Sequence, residues 1–593
     1  MTANREPRTA NREPRTANRE PRTANREPRT ANPPFPRPLR VPVGHDAHRW
    51  STLPRDRTLV VAARTVTSTV RALEALPSLL RGDARVSVVF AHDPTSAFGD
   101  GVPDLLHDAG CRVMPWHQLA DISPDLILTA SENVDVPDGD CPVLVLPHGI
   151  GFQKFVPDSR TAGTRLSGVV PDALLATGRA WLAVSHPDQE KQLLTTHPET
   201  SGRTLLVGDP CLDELTRSLP DAAAHRRALG IDDGRRLVVV SSTWGPTSLL
   251  ARDPGLPARL LATLPHDEYR VAAVLHPNIR AAHGEWRIRN VLAPALEAGL
   301  LLMPPVHAWR SALVAADAVV GDHGSVTLYG AALGKPVLLA AFGEDAVPGT
   351  AGALLGATAP RLDPHGDLGR QIEDAVATHT PGHHAAVAGR AFADPGSAHA
   401  RLRTALYRLL RLPEPSSAPS APRLPPASVE AAVVSSWTVE TTVAGSEEPV
   451  ITVRRHPTAA AGDRAETGDA FVHLACDAER ERDGRLTSSA SVLVRRSPAT
   501  TTAEARRRIR DTLDRHPGCL LATVPVRGGG SLTGVRGAAV VETTVTGAMA
   551  DPGLEAAVVY TCLRAQLPLG DGFVTLRVGG TEETVTVRAL PSR

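Results

Sequence analysis

The sequence predicts an α/β protein in which two parallel-sheet units are followed by a smaller α+β domain. Short apolar, β-rich runs alternate with helical stretches twice, first over residues 57–210 and again over 237–342. Strands that are apolar throughout and joined by crossover helices are typical of parallel sheets covered on both faces. The third region, 427–593, has alternating strands and lies beyond a Pro/Ser/Ala-rich stretch.

Each of the first two units contains enough strands for an open, doubly wound sheet. The predicted strands of the first unit are Arg57–Arg64, Arg85–His92, Asp125–Ala130, Pro142–Gly149, Trp181–His186 and Leu205–Pro210. Those of the second are Leu237–Thr243, Tyr269–Pro277, Leu300–Pro304, Ala318–Asp322 and Pro336–Phe342. We expect two Rossmann-like domains, 51–205 and 206–412, that face each other across a cleft. Because open parallel sheets bind ligands beyond the carboxyl ends of their strands, motifs at strand ends are the candidates for a site.

The second unit ends in a predicted amphipathic helix over residues 397–412. Its leucines share one face: Leu402, Leu406, Leu409 and Leu410. We expect this face to pack back onto the preceding domains, and contact with an anionic membrane surface is the alternative.

The chain beyond this helix divides into a linker and a domain. The Pro/Ser/Ala-rich stretch 413–426 predicts an extended linker. In 427–593 alternating strands and two helices, Thr502–Arg515 and Gly553–Leu567, predict an α+β domain with an antiparallel sheet. The predicted strands are Trp437–Val443, Val450–Arg454, Ala538–Val545, Phe573–Val578 and Thr584–Leu590. No catalytic cluster is evident there, so we expect an accessory domain that binds a protein partner.

The N-terminal segment 1–50 has the composition of a disordered tail. Four copies of Thr-Ala-Asn-Arg-Glu-Pro-Arg precede a Pro-rich stretch. The recurring proline and the lack of large apolar residues exclude a coiled coil in spite of the seven-residue period.

Composition excludes several classes of protein. Lys plus Arg number 64 and Asp plus Glu also 64, which argues against a general nucleic-acid-binding protein. The six cysteines form no CxxC pair and no Cys/His cluster, so neither a disulfide scaffold nor a structural zinc site is expected. The sequence has no run of 18 apolar residues and no secretory signal pattern. We expect a cytoplasmic protein, with peripheral contact to the inner membrane surface left open.

Common catalytic and nucleotide-binding motifs are missing from the sequence. GxxxxGK[ST], GxSxG and HExxH do not occur, and the first strand–helix turn lacks GxGxxG. P-loop enzymes and dinucleotide dehydrogenases are therefore disfavoured.

The motif HGIGFQK (148–154) follows a predicted strand of the first unit. His148 can act as a general base there, and Gly149 lets a ligand approach the backbone. Lys154 adds a phosphate-binding cation. The alternative is a turn histidine that caps the sheet.

Two further motifs follow strands of the second unit. His276, in an HPN sequence, can donate a hydrogen bond to a phosphate or sugar oxygen, although a lone histidine there is more often structural. The second motif lies at the start of a predicted helix and can bind an anion or a diphosphate. The donors there are the backbone N–H groups of Gly324, Ser325 and Val326 and the hydroxyls of Ser325 and Thr327.

Alternative interpretations and weaker candidates remain. Asp322 or Ser325 can instead be an ordinary N-cap of that helix. Thr243, in SSTWG, Asp322, and the GDP sequence at 208–210 with Asp213 are weaker site candidates.

In this order, the motifs HGIGFQK, GDPCLD, SSTWG, HPN and GDHGSVTLYGAALGKPVLL resemble those of the CDP-glycerol glycerophosphotransferases of teichoic acid synthesis. The resemblance spans about residues 57–385 and implies the GT-B fold. It implies His148 as the essential histidine of the first domain, His276 as a contact of the donor diphosphate, and Ser325 with Thr327 as donor-phosphate ligands. Val274 stands where the family usually has a basic residue.

The resemblance implies a transferase of cell-surface polymer synthesis. A nucleotide-diphosphate donor would supply a glycerophosphate-like or glycosyl group to a hydroxyl acceptor, which could itself be membrane-linked. The donor is a substrate, and no separate cofactor, metal or nucleic-acid partner is expected. Two alternatives remain: a UDP-sugar 2-epimerase-like enzyme on the same fold, to which HPN and GDP…D are also similar, and a non-catalytic GT-B scaffold.

Overall fold

A computed structural model describes residues 39–40, 49, 52–53, 55–158, 162–231, 234–419, 422–445, 448–460, 469–545, 547 and 549–591. The predicted disordered tail, 1–50, lies outside the described residues except for 39–40 and 49. Leu39–Arg40 form a two-residue strand that pairs with residues 112–113.

The first unit is built on a parallel sheet, as predicted. Its strands are β1 (Leu39–Arg40), β2 (Arg57–Ala63), β3 (Val86–His92), β4 (Arg112–Pro115), β5 (Leu126–Thr129), β6 (Val143–Val145), β7 (Phe155–Pro157), β8 (Thr164–Leu166), β9 (Ala180–Val184) and β10 (Thr204–Leu206). Its helices are α1 (Val66–Leu79), α2 (Val102–Asp108), α3 (Asp172–Ala176) and α4 (Pro187–Thr196). The first sheet has the order β1-β4-β3-β2-β5-β6-β9-β10, and β7 and β8 form a separate antiparallel hairpin. Leu59 and Val60 on β2 are both fully buried, which shows that both faces of the sheet are covered.

The second unit repeats this architecture. Its strands are β11 (Arg236–Ser242), β12 (Tyr269–Leu275), β13 (Leu301–Leu302), β14 (Ala318–Gly321) and β15 (Val337–Leu339). Its helices are α5 (Pro210–Ser218), α6 (Ala222–Ala228), α7 (Leu249–Arg252), α8 (Leu256–Thr263), α9 (Pro277–Val291), α10 (Ala293–Glu297), α11 (Ala308–Ala315), α12 (Ser325–Ala332), α13 (Ala351–Thr358), α14 (Leu368–Thr378), α15 (Ala385–Ala391) and α16 (Ala398–Leu410). The second sheet is parallel, in the order β13-β12-β11-β14-β15.

The predicted amphipathic helix is α16, and it packs on the first sheet rather than the second. Leu402, Leu406 and Leu410 are buried in the core between that sheet and α1. The Nε of Arg57 donates to the carbonyl of Leu410 at 2.8 Å. The apolar face of α16 is therefore covered by protein.

The described part of the predicted linker lies against the second unit. The backbone N–H of Leu424 donates to Ser218 Oγ at 2.9 Å, and the Leu424 side chain joins the core of the second sheet. Near the start of the linker, Glu414 forms an ion pair with Arg403 of α16 at 2.7 Å.

The C-terminal region differs from the predicted antiparallel sheet because its strands close into a barrel. They are β16 (Ser436–Ala444), β17 (Val450–Pro457), β18 (Phe471–Asp477), β19 (Val492–Val494), β20 (Leu521–Pro525), β21 (Ser531–Val535), β22 (Val540–Val545), β23 (Gly572–Val578) and β24 (Thr581–Leu590), with helices α17 (Gly484–Ser489), α18 (Thr502–Arg515) and α19 (Pro552–Arg564). The order around the barrel is β16-β17-β23-β24-β22-β21-β20-β19-β18. The pairs β17/β23, β18/β19 and β19/β20 are parallel, and β18 to β21 were not predicted.

Helix α19 explains why the barrel has a filled interior. Every residue from Gly553 to Cys562 is buried, and the helix packs against strands from β16 to β22. A helix that is buried on all sides needs a core around it, which the barrel provides. None of the helices in the described ranges is long and apolar enough to cross a membrane.

Candidate active site between the two sheets

The carboxyl ends of the two sheets border one cavity of about 460 Å³. Segments that follow β2, β5 and β6 of the first sheet line it together with segments that follow β11, β12 and β14 of the second. The neighbours β2/β5 and β11/β14 are the places where strand order reverses in each sheet. Open parallel sheets bind ligands at such switch points, so the cavity combines two of them.

His148 lies in the wall of this cavity with one ring nitrogen occupied. Its Nδ1 is 3.1 Å from the carbonyl oxygen of Ala130 and 3.6 Å from Oε2 of Glu132. With the Nδ1 proton donated to these acceptors, Nε2 carries the lone pair. His148 therefore has the tautomer of a general base.

Glu132 and Arg165 are cavity residues that the sequence motifs did not indicate. Glu132 is 8% exposed and its Oε1 binds Nη2 of Arg165 at 3.0 Å. Burial alone would raise the pKa of Glu132, but the charges of protonated His148 and of Arg165, with hydrogen bonds to the carboxylate, outweigh it and lower that pKa. Glu132 could have been found from the sequence, because it lies two residues beyond a predicted strand of the first unit. Nothing in the sequence around Arg165, in the β7–β8 hairpin, indicates a role in the site.

His276 lies on the opposite side of the cavity, at the start of α9. Its Nδ1 accepts the backbone N–H of Asn278 at 3.1 Å, which leaves Nε2–H as a donor. Burial lowers the pKa of His276 to about 3, and the charge of Lys154, with that of His148 whenever it is protonated, adds to this effect. The ring is therefore neutral at pH 7, and its centroid lies 6.3 Å from that of Trp244.

This shifted pKa predicts acid destabilisation. In the unfolded chain a histidine has a pKa of about 6.5. Between this pH and about 3, position 276 is protonated in the unfolded chain and neutral in the folded one. Stability therefore falls as the pH drops through this window. Urea denaturation of His276→Gln should show a pH slope shallower by up to about 1.4 kcal/mol per pH unit.

A second histidine provides the matched control. Burial also lowers the pKa of His473, in the barrel, to about 3, so His473→Gln should flatten the slope without altering nucleotide binding. Parallel stability curves for the wild type and His276→Gln would contradict the neutral state of His276.

The N-terminus of α12 faces the same cavity without a side-chain cap. Its N-cap is Gly324, whose backbone accompanies Ser325 and Val326 in the cavity wall. The first-turn N–H groups of a helix have no intrahelical acceptor and attract anions. The predicted alternative, capping of this helix by Asp322 or Ser325, does not occur.

Ser325 also joins the two sheets. Its Oγ accepts the N–H of Ile150 at 3.2 Å, and a Cβ added at Gly149 would lie 2.7 Å from the same oxygen. Gly149 is therefore needed for the close approach of the two segments.

Two of the predicted residues are turned away from the cavity. Asp322 is fully buried and accepts the backbone N–H groups of Thr243, Leu249 and Gly324, each at 2.9 Å. It braces the turns that carry Thr243 and Gly324, both of which line the cavity. Thr327 is also fully buried, with its side chain against Gly321.

Lys154 lines the cavity but already has a partner. Its Nζ is 3.0 Å from Oδ2 of Asp345 and 3.1 Å from the carbonyl of Trp244. Burial opposes ionisation of Asp345, but His323 and Lys154 lower its pKa. The lysine therefore holds the first unit to the second, in addition to facing the site.

Each Lys or Arg in the described cavity wall has a carboxylate partner. The pairs are Arg64–Asp93, Arg71–Asp209, Lys154–Asp345 and Arg165–Glu132. A phosphate group in the cavity would thus meet backbone dipoles and imidazoles in addition to shared cations. Among the described residues, no three His, Cys, Asp or Glu side chains are grouped to hold a metal ion.

Comparison with known proteins gives matches at the level of structure only. No protein-family model and no curated protein matches the sequence. The chain is similar in structure to the wall teichoic acid polymerase TagF, at 13% identity and a TM-score of 0.44, over 60% of this chain and 90% of that one.

Two other similar structures carry different names. UDP-GlcNAc 2-epimerase from Neisseria meningitidis, solved with UDP-GlcNAc, matches at 15% identity and a TM-score of 0.38, over 59% of this chain and all of that one. A glycosyltransferase from Rickettsia africae ESF-5 matches at 10% identity and a TM-score of 0.36, over 60% and 99%.

Proposed function

We propose that the cavity binds a nucleotide-diphosphate-activated donor and that the protein transfers a glycosyl or glycerophosphate-like group to a hydroxyl acceptor. The observation that carries this proposal is the pairing of an uncapped helix N-terminus with two histidines in one cavity. His276 offers a neutral N–H donor and His148 an unprotonated Nε2. Different residues of one cavity are thus available to bind phosphate and to remove a proton.

The reaction follows from these roles. The acceptor hydroxyl gives its proton to Nε2 of His148, and its oxygen forms a bond to the anomeric carbon or phosphorus of the donor. The bond from that atom to the nucleotide phosphate breaks, and the electron pair leaves with the phosphate oxygen. The N–H groups of Gly324–Val326 and the Nε2–H of His276 stabilise the negative charge that develops there.

In this proposal the two sheet units work as the two domains of a GT-B enzyme, 51–205 and 206–412. The shared cavity and the return of α16 to the first sheet support this arrangement. We assign the binding of a protein partner to the barrel of 427–593. In the same proposal, the acceptor is an intermediate of cell-surface polymer synthesis on the cytoplasmic side of the membrane.

Thermal unfolding with candidate donors tests the proposal. CDP-glycerol, UDP-GlcNAc and the corresponding free nucleotides are added to the full chain, each far above its Kd. A ligand at 100 times its Kd stabilises the folded state by about 2.7 kcal/mol. Ser325→Ala and His276→Gln should reduce the shift, whereas Phe573→Ala, an exposed residue of the barrel, should leave it unchanged. If no nucleotide raises the unfolding midpoint, the proposal fails. If a donor binds but none is turned over, the protein is instead a non-catalytic scaffold.

A further inference from the structure

A groove of about 930 Å³ lies beside the cavity and has no role in the chemistry above. The β7–β8 hairpin and α4 form one part of its wall. Residues 347–349 and Arg390, from the second unit, form the other. Both sheet units therefore contribute to it, as they do to the cavity.

The groove and the cavity share part of their walls. Asn133, Asp158 and Arg165 line both. Arg165 also binds Glu132, the carboxylate beside His148. A chain that lies in the groove and extends past Arg165 therefore enters the cavity on the side of the proposed base.

The charges in the groove are balanced, which disfavours a polyanion. The lining contains three basic side chains other than histidine and three aspartates: Lys191, Arg165 and Arg390 against Asp158, Asp172 and Asp188. Lys191 and Asp188 bind each other at 2.9 Å, and Arg165 is held by Glu132 at 3.0 Å. A phosphate polymer would have to compete with these carboxylates for the cations.

The remaining wall suits a neutral, hydroxyl-rich chain. Phe155 is 36% exposed at the groove and offers an aromatic face. The groove is also lined by residues with hydroxyl or amide side chains: Asn133, Thr164, Gln192, Thr195 and Thr196. A ring face with several short polar groups matches the C–H face and O–H edges of a sugar or polyol.

We propose that this groove binds the acceptor and that the acceptor is an uncharged saccharide or polyol chain. The inference rests on the proposed function, because it is His148 that takes the proton of the acceptor hydroxyl. That hydroxyl oxygen then bonds to the transferred group, and the nucleotide phosphate leaves. Phe155 and the hydroxyls of α4 position the chain and take no part in bond formation.

Saturation-transfer difference NMR on the full chain tests the groove without any nucleotide. The probes are maltotriose and sorbitol, with short-chain inorganic polyphosphate as the anionic competitor. Maltotriose should receive saturation, and Phe155→Ala should weaken its binding by roughly three- to tenfold. Thr195→Val, which keeps the shape and removes one hydroxyl, should weaken it in the same direction. Phe573→Ala is the matched control, since it removes an exposed phenylalanine from the barrel.

Three outcomes would overturn the inference: no transfer to either neutral probe, equal binding to Phe155→Ala and the wild type, or displacement of maltotriose by polyphosphate at lower concentration. The nucleotide thermal shift is a separate measurement. A groove that binds maltotriose in a protein that binds no nucleotide would remove the transferase and keep the saccharide site. A nucleotide shift without saccharide binding would keep the transferase and remove this acceptor class.

Discussion

Replacing His148 with alanine is expected to lower turnover by roughly 10²–10⁴-fold and to leave nucleotide binding in place. The imidazole is held through Nδ1 by Ala130 and Glu132, so only Nε2 is available to take the acceptor proton. Phosphate binding depends on other groups, at α12 and His276. Loss of turnover should therefore be separate from loss of the thermal shift.

The measurement is single-turnover transfer with the donor that gives the largest shift. Glu132→Gln should give a smaller loss, because it weakens the carboxylate contact that holds Nδ1 of His148 and leaves the contact with the carbonyl of Ala130 in place. His365→Ala, an exposed histidine outside the cavity wall, is the control. A His148→Ala protein that still turns over at the wild-type rate would remove the assignment of the base.

Most of the parallel architecture could be predicted because it depends on local patterns. β12 and β14 are mainly apolar and buried, and each ends at a polar motif on the same edge of one sheet. The direction of parallel strands alone then brings His276 and Gly324 together. Thr243 reaches the same edge after β11 and lines the same cavity.

Pairings between distant segments could not be predicted in this way. Lys154 was predicted to be a phosphate-binding cation, and its partner Asp345, 3.0 Å away across the two units, was not predicted. Nothing near either residue in the sequence indicates the other. The partners of Lys335, in the turn after α12, could not be predicted either: its Nζ donates to the carbonyls of Val314 and Ala316 at the end of α11.

The barrel was mispredicted for a related reason. Its missed strands, β18 to β21, are joined in part by parallel pairing, which an alternating pattern does not distinguish from a hairpin sheet. The closed barrel has α19 in its interior, as the burial of this helix on all sides shows. Read alone, its apolar residues indicate a buried helix and do not indicate what surrounds it.

Arg310→Met is expected to destabilise the protein by about 3–5 kcal/mol, because it breaks a buried ion-pair network between the two units. The guanidinium of Arg310 is 2.7 Å from Glu74 of α1 and 2.6 Å from Glu214 of α5. Each of the three side chains is at most 11% exposed. Removing the cation leaves two carboxylates buried together, with His307 and His399 beside them and Arg71, which is paired with Asp209, as the remaining nearby cation.

Urea denaturation at several pH values separates this effect from a loss of packing. Burial opposes ionisation of Glu74, but His307 and Arg310 lower its pKa. The network therefore stabilises the protein at pH values above the pKa of this carboxyl in the unfolded chain. That stabilisation is lost as the pH falls through the lower pKa of the carboxyl in the folded protein. The difference between Arg310→Met and the wild type should therefore shrink on acidification.

The triple variant Glu74→Gln, Arg310→Met, Glu214→Gln should recover much of the stability, because no charge is left unpaired at this junction. A loss of less than about 1 kcal/mol in the single variant, in the range of an exposed pair, would show that water reaches the network. The α1–α5–α11 junction would then be open to solvent. The first unit would be held to the second mainly by α16 and by the contacts of Lys154 and Ser325 at the cavity itself.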